Sequence, residues 1–414
     1  MQTLMSLVGV FSLLAIAVLL SDNRKAIKLK TVGGAFAIQV GLGALILYVP
    51  LGQKLLGEVS QAVSNVITYA NEGIGFLFGD LARFKVGFIF AINVLPIIIF
   101  FSSLVAVLYY IGVMQKVVAV LGGGLQKLLG TSRTESLSAT ANIFVGQTEA
   151  PLVVRPYIAR MTQSELFAVM VGGLASVAGS VLAGYAAMGV ELKYLIAASF
   201  MAAPGGLLMA KLMKPETQTP DDAEVHITDE DKSANVIDAA ASGASSGMRL
   251  AANVGAMLLA FIALIALMNG LIGWAGGLFG HPEVTLEMML GYLFSPLAFL
   301  IGVPWSEAMT AGSFIGQKLI LNEFVAFMDF VNYTDPEKAV TAGVQVLSGH
   351  TQAIISFALC GFANLSSVAI LLGGLGVIAP SRRADIAHMG MRAVVAGTLS
   401  NLMSATIAGL FLSL

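Results

Sequence analysis

Eight stretches of this chain are apolar and long enough to cross a bilayer, and that limits the fold before any other feature does. A transmembrane helix needs about 20 predominantly apolar residues. Residues 3–20, 32–50, 86–113, 165–190, 192–212, 248–272, 351–378 and 387–413 meet that requirement. Lipid offers no partner for backbone N–H and C=O groups, so such segments span as helices. Composition agrees. Of 414 residues, 57% are hydrophobic and 11% charged, whereas a soluble domain carries about 25% charged residues. The chain reads as an all-α, multi-pass integral membrane protein. A net charge of −2 gives no reason to expect a nucleic-acid partner. The single cysteine, Cys360, excludes an intrachain disulfide framework, and His226, His281, His350 and His388 are scattered without metal-ligand spacing.

The first 20 residues have no basic leader and no small-residue cleavage site, so they read as a first span and not as a signal peptide. Arg24, Lys25, Lys28 and Lys30 follow it. Basic loops stay in the cytoplasm, which places the N-terminus outside. Residues 53–73 carry an apolar stripe of Val59, Val63, Val66 and Ile67 opposite Ser60, Ser64 and Asn65. This pattern suits an amphipathic helix lying in the membrane interface or packed in the bundle. Residues 116–130 read as interfacial too, and the acidic, proline-containing run 214–233 reads as a solvated loop.

Two segments, 134–163 and 305–333, fit neither a span nor a loop. They resemble each other. FVGQ at 144–147 recurs as FIGQ at 314–317, each after an early acid (Glu135, Glu307) and before a later one (Glu149, Glu323). GLASV at 173–177 has a counterpart in GFANL at 361–365. Four matches in one order indicate a duplication. If each misfit segment is a re-entrant hairpin, three spans separate the copies and the repeats are inverted. Inverted repeats with interrupted helices mark secondary transporters, whose site lies at the repeat interface.

The polar residues support a binding site. A charge at the centre of a spanning helix costs about 2.5–3.5 kcal/mol, so Glu149 and Glu323 need a partner or a water-filled cavity. Gly146 and Pro151 bracket Gln147, Thr148 and Glu149 as residues of a turn do. Gln147 and Thr148 offer both donors and acceptors, which suits a neutral ligand. Glu323 can accept hydrogen bonds from sugar hydroxyls. Asn364 and Ser367 share a face if helical, and Phe362 joins them in a cavity only if the helix is interrupted there. Other roles remain open: Glu149 pairing with Arg155 or Arg249, and Asn364 with Ser367 as links between helices. No nucleophile motif, metal cluster or cofactor loop supports the rival of an intramembrane enzyme using Glu149 and Glu323 as acid and base.

NIFVGQTEAPL, NEFVAF and ALCGFANLSSVAI together resemble the concentrative nucleoside transporter family, through nearly the whole chain. The resemblance implies eight transmembrane helices plus two re-entrant helical hairpins in inverted repeats, with interfacial helices, and a homotrimer in the cytoplasmic (inner) membrane. It implies scaffold helices in 1–115, a first transport repeat in 116–213, a polar loop and long scaffold helix in 214–283, and a second transport repeat in 284–414. By motif, Gln147 and Thr148 would bind the nucleobase, with Glu149 nearby through water and Val181 lining the pocket. Glu323, Asn364 and Ser367 would bind the ribose, with Phe362 packed beside them. Asn142, Val145, Ser176 and Val177 would hold sodium (Na+). The implied function is sodium-driven nucleoside import. A proton-coupled symporter and a carrier of another neutral solute, such as a free nucleobase, are the alternatives.

Overall fold

The bounds of the helices follow the turn chemistry of the sequence. The structure, a computed structural model, describes residues 2–83, 87–221 and 233–414, so His226 and the middle of the acidic run lie outside the described residues. Helices α1 (Gln2–Leu19) and α2 (Leu29–Leu47) flank the basic segment. Pro50 opens α3 (Pro50–Phe78), where a missing N–H does no harm. Helix α4 (Phe90–Tyr110) is interrupted at Val94, just before Pro96. Gly112 and Gly130, with φ of +81° and +66°, begin and end α5 (Val113–Leu129).

The segments that fitted no pattern fold as short pieces. Helix α6 (Arg133–Ala141) stops at Asn142 and gives way to irregular backbone through Glu149. After it come α7 (Gln163–Ala175), a break at 176–178, α8 (Gly179–Met188) and α9 (Leu192–Met213). The 42-residue α10 (Val236–Gly277) leads to α11 (Leu286–Leu300) and α12 (Trp305–Ile320), which meet at 116°. Then follow α13 (Glu323–Phe330), α14 (Gly349–Leu359), α15 (Ser367–Ile378) and α16 (Arg383–Leu412). No strand occurs among the described residues. Among the described residues, seven helices are long and apolar enough to cross a membrane, or eight if the bent α11–α12 pair counts as one span. The stretch 351–378, read from sequence as one span, is two helices, α14 and α15, parted at 360–366. Local hydrogen bonds of Asn364, Ser366 and Ser367 compete there with the helical ladder.

The core is formed by α7, α8 and α9, whose apolar windows are 94% buried, with α16 at 78%. By contrast α1, α2, α4 and α10 bury only 22–28% and turn apolar side chains outward. Helix α10 lies along α4. A Cβ added to Gly243 would sit 2.6 Å from the Ala106 Cβ, and one on Gly247 2.7 Å from the Ile99 Cα, so glycine at both positions permits the close approach. Helix α1 packs along α16, and α2 packs along α9.

Corresponding polar ties fix the feet of both repeats. Thr134, at the start of α6, donates to Glu165 Oε1 in the first turn of α7 (3.0 Å). Glu307, at the start of α12, accepts from the Ser348 amide and hydroxyl at the start of α14 (2.7 Å each). The buried Lys211 amine, at the end of α9, is balanced by Glu135 and donates to Ser164 Oγ (2.8 Å).

Candidate functional site

The site is built where the helices break. In the first half, the irregular turn 142–149 rests on α7. An added Cβ on Gly172 would lie 3.2 Å from Asn142 Nδ2, and one on Gly173 would lie 2.8 Å from Gln147 Cβ, so glycine at both positions lets the turn approach. The Gly179 amide donates to the Phe144 carbonyl (3.0 Å), fastening the turn to the break at 176–178. Asn142 is 1% exposed; its Nδ2 donates to the Ser138 carbonyl (2.9 Å), while its Oδ1 has no partner. Ser176 Oγ donates to the Gly172 carbonyl (2.9 Å), which leaves its lone pairs available. Val145 and Val177 are buried on either side of this contact. An unpaired buried acceptor costs about 1–3 kcal/mol. Neutral oxygens from Asn142 and Ser176, with backbone carbonyls beside them, are a donor set that suits an alkali cation.

Gln147 is buried and its Oε1 likewise lacks a partner. Thr148 and Glu149 are exposed. Thr148 lies against α15, with its Cγ2 2.9 Å from a Cβ added to Gly374, and Glu149 Oε2 accepts from the Gly146 amide (3.0 Å), closing the turn on itself.

In the second half, Asn322 caps α13 by accepting from the Val325 amide (2.9 Å), which sets Glu323 in the first helical turn. Glu323 is 4% exposed. Its Oε2 accepts from Asn364 Nδ2 (2.9 Å) and its Oε1 from the Tyr185 hydroxyl (3.3 Å). Asn364 Oδ1 in turn accepts from the Ser367 amide (3.0 Å) and hydroxyl (3.1 Å), so both residues act together, across the break and not along a continuous helix. Phe362 stands inside the break. Its amide donates to the Ser176 carbonyl (3.2 Å), joining the two halves. Val181 is buried on α8 one turn before Tyr185 and shares its face.

Three residues of this cluster were not singled out from sequence. Tyr185 packs on Phe327 and Phe324 (ring centroids 4.5 and 4.8 Å) while its hydroxyl reaches Glu323. Asn401 Nδ2 donates to the carbonyls of Ala175 (2.6 Å) and Cys360 (3.0 Å), at the ends of α7 and α14. Lys318 Nζ donates to the Ala358 carbonyl and to Asn401 Oδ1 (2.7 Å each). An amide within the apolar run of α16, and a lysine directly after FIGQ, were the available signals.

Comparison with known proteins decides the family. The profile described as Na+ dependent nucleoside transporter C-terminus matches residues 194–409, its N-terminal counterpart matches 8–81, and one described as nucleoside recognition matches 91–191. The chain belongs to the concentrative nucleoside transporter family. The nucleoside permease NupC of Helicobacter pylori is 54% identical to this transporter, over all of this chain and 99% of that protein. An uncharacterized transporter of Haemophilus influenzae is 62% identical over 100% and 99%. Among solved structures, CNTnw in an inward-facing substrate-bound state superposes with a TM-score of 0.94 at 65% identity, covering 99% and 98% of the two chains. A substituted CNTnw in an outward-facing state gives a TM-score of 0.96 at 65% identity, covering 100% and 99%. The transporter is thus a multi-pass membrane protein of the nucleoside class. The family is one of permeases, which removes the reading of Glu149 and Glu323 as an enzymatic acid/base pair.

Proposed function

We propose that this transporter imports nucleosides into the cytoplasm by alternating access, driven by a sodium gradient. The observation that carries the reading is the buried Glu323 carboxylate, held by Tyr185 and Asn364 at the meeting of two helix breaks. A carboxylate so placed is an acceptor for ribose hydroxyls, with Asn364 and Ser367 as companion groups and Phe362 as an apolar wall. Gln147, whose buried Oε1 is free, would read the nucleobase edge with Thr148. Glu149 would act from nearby through water, and Val181 would line the base pocket.

Asn142 and Ser176, with the carbonyls of Val145 and Val177, would hold sodium. The unpaired Asn142 Oδ1 and the neutral donor set support an alkali cation over a proton. A bound sodium supplies a charge on which the membrane potential acts. Entry of one charge supplies about 2.3 kcal/mol per 100 mV, and a tenfold sodium gradient adds about 1.4 kcal/mol. Together these support roughly 500-fold accumulation of a neutral nucleoside. The turn carrying Asn142 also carries Gln147, so ordering one orders the other, which is the requirement for coupling.

The transporter is proposed to sit in the cytoplasmic membrane as a homotrimer, N-terminus outside, with the two repeats moving against scaffold helices. Uptake of labelled uridine into proteoliposomes, with sodium and proton gradients imposed separately, tests the reading. Sodium alone is expected to drive accumulation. Equal uptake on a proton gradient alone would establish the proton-coupled alternative. Competition by free nucleobases as strong as by nucleosides would establish the nucleobase alternative.

A further inference from the structure

The second repeat carries a cation of its own. Lys318, near the end of α12, is 3% exposed, yet both acceptors of its amine are neutral: the Ala358 carbonyl and Asn401 Oδ1, each at 2.7 Å. Ala358 is the penultimate residue of α14. The ammonium therefore sits at the carboxyl-terminal end of a broken helix, where carbonyls freed by the break favour positive charge. Burying an ion away from a counter-charge costs several kcal/mol, so packing alone does not account for a lysine here. The carboxylate of Glu323, five residues on, is taken up by Tyr185 and Asn364.

The first repeat supplies the comparison. There α7 also ends at a break, and residues 142–149 contribute two unpaired amide oxygens, those of Asn142 and Gln147, and no lysine or arginine. The two places are alike in kind and not in register, since FVGQ set against FIGQ puts Lys318 opposite Thr148. In each repeat a break N–H donates to the hairpin it faces, Gly179 to the Phe144 carbonyl and Leu365 to the Leu319 carbonyl, both at 3.0 Å. Lys318 is the residue immediately before Leu319. Asn401 binds the ends of both broken helices at once, through the Ala175 and Cys360 carbonyls.

We propose that Lys318 is a tethered replacement for a coupling ion: its ammonium occupies, in the second repeat, the kind of place that sodium takes in the first. The proposal rests on the sodium reading given above. Its consequence is an asymmetry of control. The half of the site that reads the base responds to the free cation, whereas the half that holds Glu323 carries its own tethered ammonium and stays assembled without a free ion.

The test is the sodium dependence of unfolding of the purified transporter in detergent, with choline replacing sodium at constant ionic strength. The wild type and Asn142→Ala report on the first repeat alone. Lys318→Ala opens the second place. The number of ions taken up on folding, read from the shift in stability with log sodium, is expected to rise from about one to about two in the wild-type background, and from about zero to about one beside Asn142→Ala. Lys318→Arg, which keeps the charge, is expected to behave as wild type. If Lys318→Ala cannot be purified in either salt, Lys318→Ser takes its place in the same titration. A folded neutral variant with unchanged sodium dependence in both backgrounds overturns the proposal, as does a gain of sodium dependence by Lys318→Arg. A wild type insensitive to sodium, beside a Lys318→Ala that becomes sensitive, instead defeats the sodium reading and leaves the role of the lysine standing.

Discussion

The main-chain amide of Phe362 donates to the main-chain carbonyl of Ser176 over 3.2 Å. No side chain takes part, so the link between the two broken helices is independent of the residues that vary the site's chemistry. With Asn401 spanning the ends of the same two helices, it makes the half carrying Asn142 and the half carrying Glu323 one mechanical unit. A contiguous packed connection of this kind is the physical basis on which one ligand can alter the affinity for another.

Replacing Glu323 by glutamine keeps the shape and removes the charge. Hydrogen bonds to charged groups contribute about 1.5–3 kcal/mol, so uridine affinity is expected to fall by roughly 10- to 150-fold, and Glu323→Ala is expected to abolish uptake. Calorimetric titration of protein that elutes as wild type measures this. Unchanged affinity would remove Glu323 from the site.

Gly173→Ala is expected to weaken nucleoside binding through the base end, because the added methyl would lie 2.8 Å from Gln147 Cβ and 3.1 Å from its Cα. Gly33→Ala, where an added Cβ meets nothing within 4 Å, is the control. Competition of purines and pyrimidines for labelled uridine reads the effect. Equal inhibition profiles for the two variants would show that the turn does not carry the base contacts.

Asn142→Ala removes the unpaired amide oxygen and is expected to raise the sodium concentration for half-maximal uptake at least tenfold (about 1.4 kcal/mol). Initial rates across a sodium–choline series at fixed pH measure it. A variant with the wild-type sodium curve would dismiss Asn142 as a ligand.

Much of this architecture is legible in the chain. The apolar runs give the spans, because lipid admits only helices there. The break at 360–366 was legible only as a condition, that Phe362 could face the cavity if the helix stopped. Residues 351–378 are apolar enough to read as one span, and the local bonds of Asn364 that end the helix do not register in hydropathy. Asn401, Lys318 and Tyr185 escaped notice for a related reason. Each lies on a helix whose pattern is continuous, and what distinguishes it is a partner 40 to 230 positions away.

Asn401→Leu leaves the Ala175 and Cys360 carbonyls and the Lys318 amine short of a partner. Each orphaned group costs about 1–3 kcal/mol, so a clear drop in melting temperature is expected, larger than for Asn65→Leu on the exposed face of α3. Thermal unfolding in detergent measures it. Equal effects of the two substitutions would mean that the Asn401 contacts contribute nothing net.

Asp22 lies in the loop after α1, where burial alone would raise its pKa, but bonds to Arg392 and to Lys214 (2.9 Å) outweigh burial and hold it below the usual carboxylate value of 3.8. A carboxylate depressed by folding adds stability above its unfolded pKa and loses it as the pH falls through the folded value. Wild type is therefore expected to exceed Asp22→Asn in thermal stability at pH 7, with the gap closing only below about pH 3.8. The group is partly exposed, so the gap is small and shrinks with salt. A gap that persists at pH 2 would contradict the pairing.

Each oxygen of Glu323 already accepts one bond, one from a phenol and one from an amide, and each keeps a second lone pair. A sugar hydroxyl arriving at Oε1 therefore comes as a second donor beside Tyr185. A guest lacking that hydroxyl strands nothing, since the phenol stays where it was. Discrimination against deoxy sugars at this position is then the loss of one bond to a charge that keeps its other partners, and not the larger penalty of an abandoned charge.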